Sequence, residues 1–248
     1  MTQEIDHPAH LYEVPLRNRL ARSIIRPVFR LIFHILAKIR IRGLENVPTQ
    51  SAYLIAINHV SLFDPPFVIA FWPKCPEAAG AAEIWSKPGQ STLARLYGGI
   101  QVHRGQYDRQ MIDTVTRALM SGRPLVIAPE GGRSHQPGLQ RGLPGVAFIM
   151  ERLQVPVVPV GIVGTTDDFF QKAIHGKRPL LELNIGEPFT LPQIQDSGAA
   201  RRTARQSHVD EVMYRIADLL PIEYQGIYAE KSRLARSVDD PEHPVTEV

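Results

Sequence analysis

Three runs in this sequence are apolar at nearly every position: Ala52–Asn58, PLVIAPE at 124–130 and VPVVPVGIV at 155–163. A strand that is hydrophobic without alternation has both of its faces covered, and helices are what cover a parallel sheet. Two further segments have strand character, GGIQVHR at 98–104 and LLELNIGEPF at 180–189. Helical patterns separate them. DPPFVIAFW opens a helix with Asp64 as N-cap and Pro65 in the first turn. Residues 110–120 are helical in period and end at Ser121-Gly122; 144–153 and 200–220 are helical as well. Strands alternating with helices predict an α/β fold: a single domain with a mostly parallel, mixed sheet flanked by helices. The prolines of 155–163 place that strand at an edge or in an irregular position.

A different pattern precedes this domain. Residues 14–42 hold eight basic residues and no acid: Arg17, Arg19, Arg22, Arg26, Arg30, Lys38, Arg40 and Arg42. On a helix Arg19, Arg22, Arg26 and Arg30 share one narrow face, while Leu20, Ile24, Val28, Leu31, Ile32 and Ile35 spread over the opposite side. Pro27 inside the pattern predicts a kink or a break. A basic amphipathic helix with little acid is the pattern of a segment lying in a membrane interface, apolar side in the lipid and arginines on its anionic head groups. The bland alternative is a helix packed on the domain with a solvated basic face.

Other properties narrow the possibilities. The 248 residues suffice for one sizeable core, and the net charge of +3 is mild. The lone cysteine, Cys75, excludes an internal disulfide and fits a reducing compartment. The most apolar stretch, VFRLIFHILAKIRI, is interrupted by Arg30, His34 and Lys38, short of the roughly 18 apolar residues a membrane span requires. The acidic start MTQEID argues against a cleaved signal. Aromatic interleaving among the arginines is limited to Phe29 and Phe33, so no nucleic-acid partner is expected.

Three polar clusters interrupt the ends of apolar runs: Asn58-His59 with Asp64, His103-Arg104, and Glu130-Gly131-Gly132-Arg133-Ser134. In open α/β sheets, sites gather outside the carboxyl ends of the strands, so clusters distant in sequence can meet. With Asp64 at the start of its helix, its carboxylate lies close to His59. A carboxylate that accepts the Nδ1 proton fixes the imidazole tautomer and raises its basicity, leaving the other nitrogen to take a proton from a hydroxyl. No protein nucleophile completes a triad, and none is needed if the substrate brings the hydroxyl. Arg104 and Arg133 are candidates for a phosphate, which guanidinium grips as a fork. The glycines of PEGG let backbone N–H groups approach an anion. The alternative is that both arginines bridge to local acids, Glu130 first among them.

Taken together the clusters resemble a known family. NHVSLFD at 58–64 is similar to the NH-x4-D signature of the glycerolipid acyltransferases, which include 1-acyl-glycerol-3-phosphate acyltransferases. GGIQVHR at 98–104, PEGGRS at 129–134 and VPVVPVGI at 155–162 resemble the family's second, third and fourth blocks, in the family's order. Gly132 stands where a threonine is usual, and Ala128 where a phenylalanine is common.

The resemblance implies roles. His59 would be the general base and Asp64 its support. Arg104, Glu130, Gly131 and Arg133 would form the acceptor site, and Pro159 would shape the acyl-binding side. The acyl donor would be a thioester of coenzyme A or acyl-carrier protein, with no cofactor and no metal. The acceptor would be a lysophospholipid, 1-acyl-glycerol-3-phosphate first, with another lysophospholipid or glycerol-3-phosphate as alternatives. The enzyme would sit on the cytoplasmic face of the membrane, peripheral or monotopic. The layout would be an anchoring helical segment over 1–42, a catalytic domain over 43–222 and a tail over 223–248. A serine hydrolase using Ser61 or Ser134 is a rival, weakened because the chain has no G-x-S-x-G elbow. A metallohydrolase using His59, Asp64, His103 and Glu130 is another, and their spacing matches no closed metal motif.

Overall fold

The structure is a computed structural model and describes residues 12–49, 51–105 and 108–229. Most of the expected tail, residues 230–248, lies outside the described residues. Helix α1 (Leu16–Leu36) leads into β1 (Lys38–Arg42), and a crossing segment leads to β2 (Leu54–Ile57). There follow α2 (Asp64–Phe71), β3 (Glu77–Ala81), α3 (Gln90–Tyr97), β4 (Ile100–Val102), α4 (Arg109–Met120) and β5 (Leu125–Ile127). The chain continues through α5 (Gly145–Leu153), β6 (Val157–Val163), α6 (Phe169–Ile174), β7 (Leu180–Ile185) and α7 (Gly198–Ala217). The strands form one sheet in the order β1-β7-β6-β2-β5-β3-β4. Every pairing is parallel except β6 with β7. The expected α/β class and mostly parallel sheet are therefore what this sequence forms.

The run LIAI of β2 explains the core. Leu54 and Ala56 turn to one face, against Val115 and Leu119 of α4 and Val212 and Ile216 of α7. Ile55 and Ile57 turn to the other, against Phe67 of α2, Phe33 of α1 and Phe169 of α6. All four β2 side chains are essentially inaccessible. Burying each leucine or isoleucine contributes about 1.5–3 kcal/mol. Period-two geometry with both faces covered is why the run does not alternate.

β6 is internal, between β7 and β2, and not at an edge. Pro159 is tolerated because the β7 ladder begins only at Val160. At Pro159 only the carbonyl is used on that side, accepting from Gly186 N at 2.9 Å, so the missing N–H breaks no bond there.

The N-terminal helix is not broken at Pro27, and its arginines do not all lie where the pattern places them. It runs from Leu16 to Leu36 as one helix through Pro27. Part of its arginine face turns inward: Arg22 is buried and Arg26 half-buried, while Arg19 stays exposed. Arg22 grips Glu77 with both terminal nitrogens (2.7 and 2.6 Å) while its Nε donates to Tyr97 O. Arg26 donates to the carbonyls of Ile69 and Trp72, and Arg30 to that of Ala70 at 2.8 Å. These are the orphan carbonyls at the C-terminal end of α2, a favourable place for a cation. The apolar side consequently faces outward: Leu16, Leu20, Ile24, Leu31 and Ile35 are each about 60% exposed or more. The arginines Arg22, Arg26 and Arg30, expected on lipid head groups, instead fasten the helix to the domain.

Two boundaries also move. Lys38–Arg42, assigned to the anchoring segment, is an edge strand in register with Leu180–Asn184 of β7. The sheet thus begins before residue 43. Nor does a loose tail start at 223: Tyr224 and Tyr228 are buried, and their hydroxyls accept from Gly164 N and Gly142 N, each at 3.1 Å.

Candidate active site

β2, β4, β5 and β6 run parallel, so their carboxyl ends open on the same edge of the sheet. That edge receives His59 after β2, Arg104 after β4, Glu130 after β5 and Thr165 after β6.

Asp64 is the first residue of α2 rather than its cap. Its carboxylate bonds to no helix N–H ahead of it, because Pro65 and Pro66 have none to offer. It turns back instead. Oδ2 accepts from Ser61 N at 2.8 Å and meets His59 Nδ1 at 2.8 Å, and Oδ1 accepts from the Thr165 hydroxyl. Asp64 is wholly buried, and all three of its contacts are donors a carboxylate can accept. With Nδ1–H given to Asp64, His59 carries its lone pair on Nε2, the nitrogen able to take a proton from a hydroxyl. Asn58 fixes the strand end beneath, bonding Ile162 O and Ile162 N through its side-chain amide.

Glu130 is not the partner of either arginine. Its carboxylate is buried and accepts from His59 N and Gln140 N, both at 2.9 Å. Burial pushes its carboxyl up to about 7, held from going further by those two backbone N–H groups and the nearby His59. Its contacts are with the backbone that carries His59, so it holds the first and third motif blocks together. Ser134 N and His135 N continue the seam, donating to His59 O (2.9 Å) and Val60 O (3.1 Å).

Gly131 has φ +68, a backbone conformation that strains any other residue, and a Cβ there would also push the Leu143 side chain aside. Its N–H closes a turn onto Ala128 O and is not offered to an anion. Arg104 Nη1 lies 4.0 Å from where a Cβ on Gly132 would be. The smaller residue at 132 thus leaves room for that guanidinium. Among the described residues neither Arg104 nor Arg133 forms an ion pair. Pro159 lies within β6, against Gly186, away from the apolar groove described next.

The rival chemistries find different partners. Ser61 Oγ accepts from Phe63 N at 3.1 Å, and Ser134 Oγ donates to Gln136 O at 2.6 Å. His103 pairs with Asp108 at 2.7 Å rather than with the His59 cluster.

An apolar groove of about 390 Å³ runs up to the His59–Asp64 loop. Phe29 and Ile32 of α1, Leu62 and Phe63 of the loop, Trp85 and Phe170 are among its walls. Ile32, Leu62 and Phe170 are exposed at the same time, so the groove continues into the outward apolar face of α1. The sequence reading missed this groove, and it missed Thr165. The groove had no local signal, since its walls come from six separate segments. Thr165 had one: GTTDD is a polar cluster at the end of an apolar strand, like the other three.

An open, largely parallel α/β sheet with a His–Asp pair at its carboxyl edge, Asp64 buried and His59 partly accessible, beside an apolar groove, defines a class of site able to move a proton next to an apolar surface. A family model described as Acyltransferase matches residues 38–163, just over half of the chain and all four motif blocks. The chain belongs to the acyltransferase family, the glycerolipid branch that its motifs resemble. It is 33% identical over 151 residues to the human (Homo sapiens) lysophospholipid acyltransferase LPCAT4, covering 58% of this chain and 28% of that protein. The mouse (Mus musculus) LPCAT4 is 32% identical over the same length, with the same coverage. The chain thus spans little more than a quarter of the length of these curated relatives. Among solved structures, the 1-acyl-sn-glycerophosphate (LPA) acyltransferase PlsC from Thermotoga maritima matches with a TM-score of 0.56 and 21% identity. That match covers 79% of this chain and 80% of the other, and establishes a shared fold.

Proposed function

We propose that this protein transfers a fatty acyl group from a thioester, of coenzyme A or acyl-carrier protein, to the free hydroxyl of a phosphorylated glycerolipid. 1-Acyl-glycerol-3-phosphate is the first choice of acceptor, and phosphatidic acid the corresponding product. The names of the relatives, lysophospholipid and LPA acyltransferases, support this acceptor class. The observation that carries the reading is the 2.8 Å contact between His59 Nδ1 and buried Asp64, in the loop whose Leu62 and Phe63 wall an apolar groove.

The acceptor's hydroxyl gives its proton to His59 Nε2 as its oxygen attacks the thioester carbonyl. The new C–O bond forms, the C–S bond breaks, and the thiolate leaves with the proton returned by the imidazolium. A thioester is already activated, so no covalent enzyme intermediate is required. Asp64 holds the imidazole in the productive tautomer. Arg104 and Arg133, without acid partners among the described residues, take the acceptor's phosphate. Glu130 and Gly131 act one layer back, shaping the loop that carries His59 and Arg133. The groove takes an acyl chain. The outward apolar face of α1 lies in the membrane surface, which brings the groove's exposed rim to the lipid. Among the described residues no helix is long and apolar enough to cross a membrane. The reading places the protein as peripheral or monotopic, on the cytoplasmic face.

His59→Ala tests it. The full chain on phosphatidylglycerol vesicles, given acyl-CoA or acyl-carrier-protein thioester and a panel of acceptors, is read by mass spectrometry of the lipid product. The variant is expected to bind vesicles as before and to lose transfer by about 100-fold or more. Transfer within a few fold of the parent ends the assignment of His59 as base.

A further inference from the structure

Thr165 lies outside all four motif blocks and two residues beyond the span matched to the family. We propose that it is a positioning residue for the acyl transfer, completing a relay Thr165–Asp64–His59; the inference rests on His59 being the base. Thr165 is 1% exposed, and its hydroxyl donates to Asp64 Oδ1, the carboxylate oxygen that His59 does not use. Rotation of a carboxylate about its last bond is broad and roughly two-fold. A donor on each oxygen is therefore what fixes its plane. Ser61 N and His59 Nδ1 share Oδ2, and Thr165 alone among the described residues holds Oδ1.

The backbone carrying Thr165 is pinned on both sides. Gly164 N donates to the Tyr224 hydroxyl, and at φ +90 a Cβ on Gly164 would strike Leu180 O at 2.2 Å. On the other side Thr166 Oγ1 donates to Asp168 Oδ1 at 2.5 Å, and Asp167 meets His135 Nδ1 at 3.0 Å. The hydroxyl is thus presented to Asp64 from a fixed position. Without it, Oδ1 is a buried acceptor with no donor, and the carboxylate turns to find one. That turn misaligns the imidazole, not the groove or the arginines.

The test uses the full chain on vesicles with acyl-CoA and 1-acyl-glycerol-3-phosphate. Thr165→Val keeps the shape and removes the hydroxyl; Thr165→Ser keeps the hydroxyl. The valine variant is expected to lower kcat about tenfold with KM for both substrates unchanged, and serine to restore it to within about twofold. The low-field proton NMR resonance of His59 Nδ1–H should move in the valine variant and return in the serine variant. Should the valine variant fail to accumulate, Thr165→Ala compared with Thr165→Ser isolates the hydroxyl in the same way. The proposal is overturned if valine leaves kcat and the resonance in place. It is equally overturned if serine loses as much as valine, or if the loss is in KM alone. If His59→Ala stays active while valine still moves the resonance, the base assignment fails and the positioning contact stands.

Discussion

Replacing Glu77 by glutamine removes one negative charge from a place that water does not reach. Four donors converge on its two oxygens: Nη1 and Nη2 of Arg22, Nε of Arg123 at 2.7 Å and the Tyr12 hydroxyl at 2.9 Å. Glutamine keeps one acceptor and turns an NH2 group toward the rest. The Arg22 side chain, 5% exposed, is then a buried cation without a counter-charge, whereas Arg123, 31% exposed, is partly relieved by solvent. Breaking a buried pair in this way costs about 3–5 kcal/mol. For a domain of this size that corresponds to a fall in Tm of roughly 10 °C, read by calorimetry or circular dichroism. Burial pushes the Glu77 carboxyl up, but the hydrogen bonds and charges of Arg22 and Arg123 outweigh it and leave it below the ordinary carboxylate value. The folded value is lowered, so this stability is present above the ordinary carboxylate range and is lost as pH falls through the native value. The glutamine variant should lack that acid-side loss. The double variant Glu77→Leu with Arg22→Met, which removes both charges, should recover to within about 1–2 kcal/mol of the parent. A glutamine variant whose Tm lies within about 2 °C of the parent would refute the claim that polar contacts hold α1 to the domain.

Glu130→Gln can accept from only one of the two backbone N–H groups of His59 and Gln140, so kcat should fall about tenfold or more in the vesicle assay. Because burial raises Glu130 to about 7, the folded chain holds a proton the unfolded chain has released. Its contribution to stability is full below the ordinary carboxylate range and is lost as pH rises through about 7; in the glutamine variant Tm should decline less as pH rises from the ordinary carboxylate value to about 7. Ile24→Asp or Leu31→Asp, on the outward face of α1, should change unfolding free energy by no more than about 0.5 kcal/mol yet abolish co-sedimentation with vesicles; retained co-sedimentation would move the contact surface elsewhere. A Cβ on Gly99 would lie 3.3 Å from the Trp85 ring, so Gly99→Val should drive that ring into the groove and shift donor preference toward shorter acyl chains; an unchanged chain-length profile would detach the groove from acyl binding.

Much of this molecule follows from local pattern. LIAI and LVI are buried on both sides because parallel strands have two covered faces, and their non-alternating apolar runs say so. The polar residues that end those strands lie along one edge because parallel strands share a carboxyl end, and there His59 and Glu130 meet across 71 positions of sequence. Short or weakly patterned elements were not legible. EAAGA of β3 has little strand character, and KIRIR of β1 alternates like a strand but continues the basic composition of the helix before it.

The sequence alone determined that the basic segment before the sheet is helical, with an arginine face and an apolar face, since a 3.6-residue period is a local property; that it runs unbroken through Pro27 and ends at Leu36 came from the tertiary structure. Which face turns inward was decided by the tertiary structure. The C-terminal carbonyls of α2 and the buried carboxylate of Glu77 lie under α1, where Arg22, Arg26 and Arg30 satisfy them, while Phe33 of the same helix packs into the core. The same holds at the site. The His59–Asp64 spacing is written in the chain, but the hydroxyl on the second oxygen of Asp64 comes from a residue 101 positions away, and only the packing of β6 beside β2 delivers it.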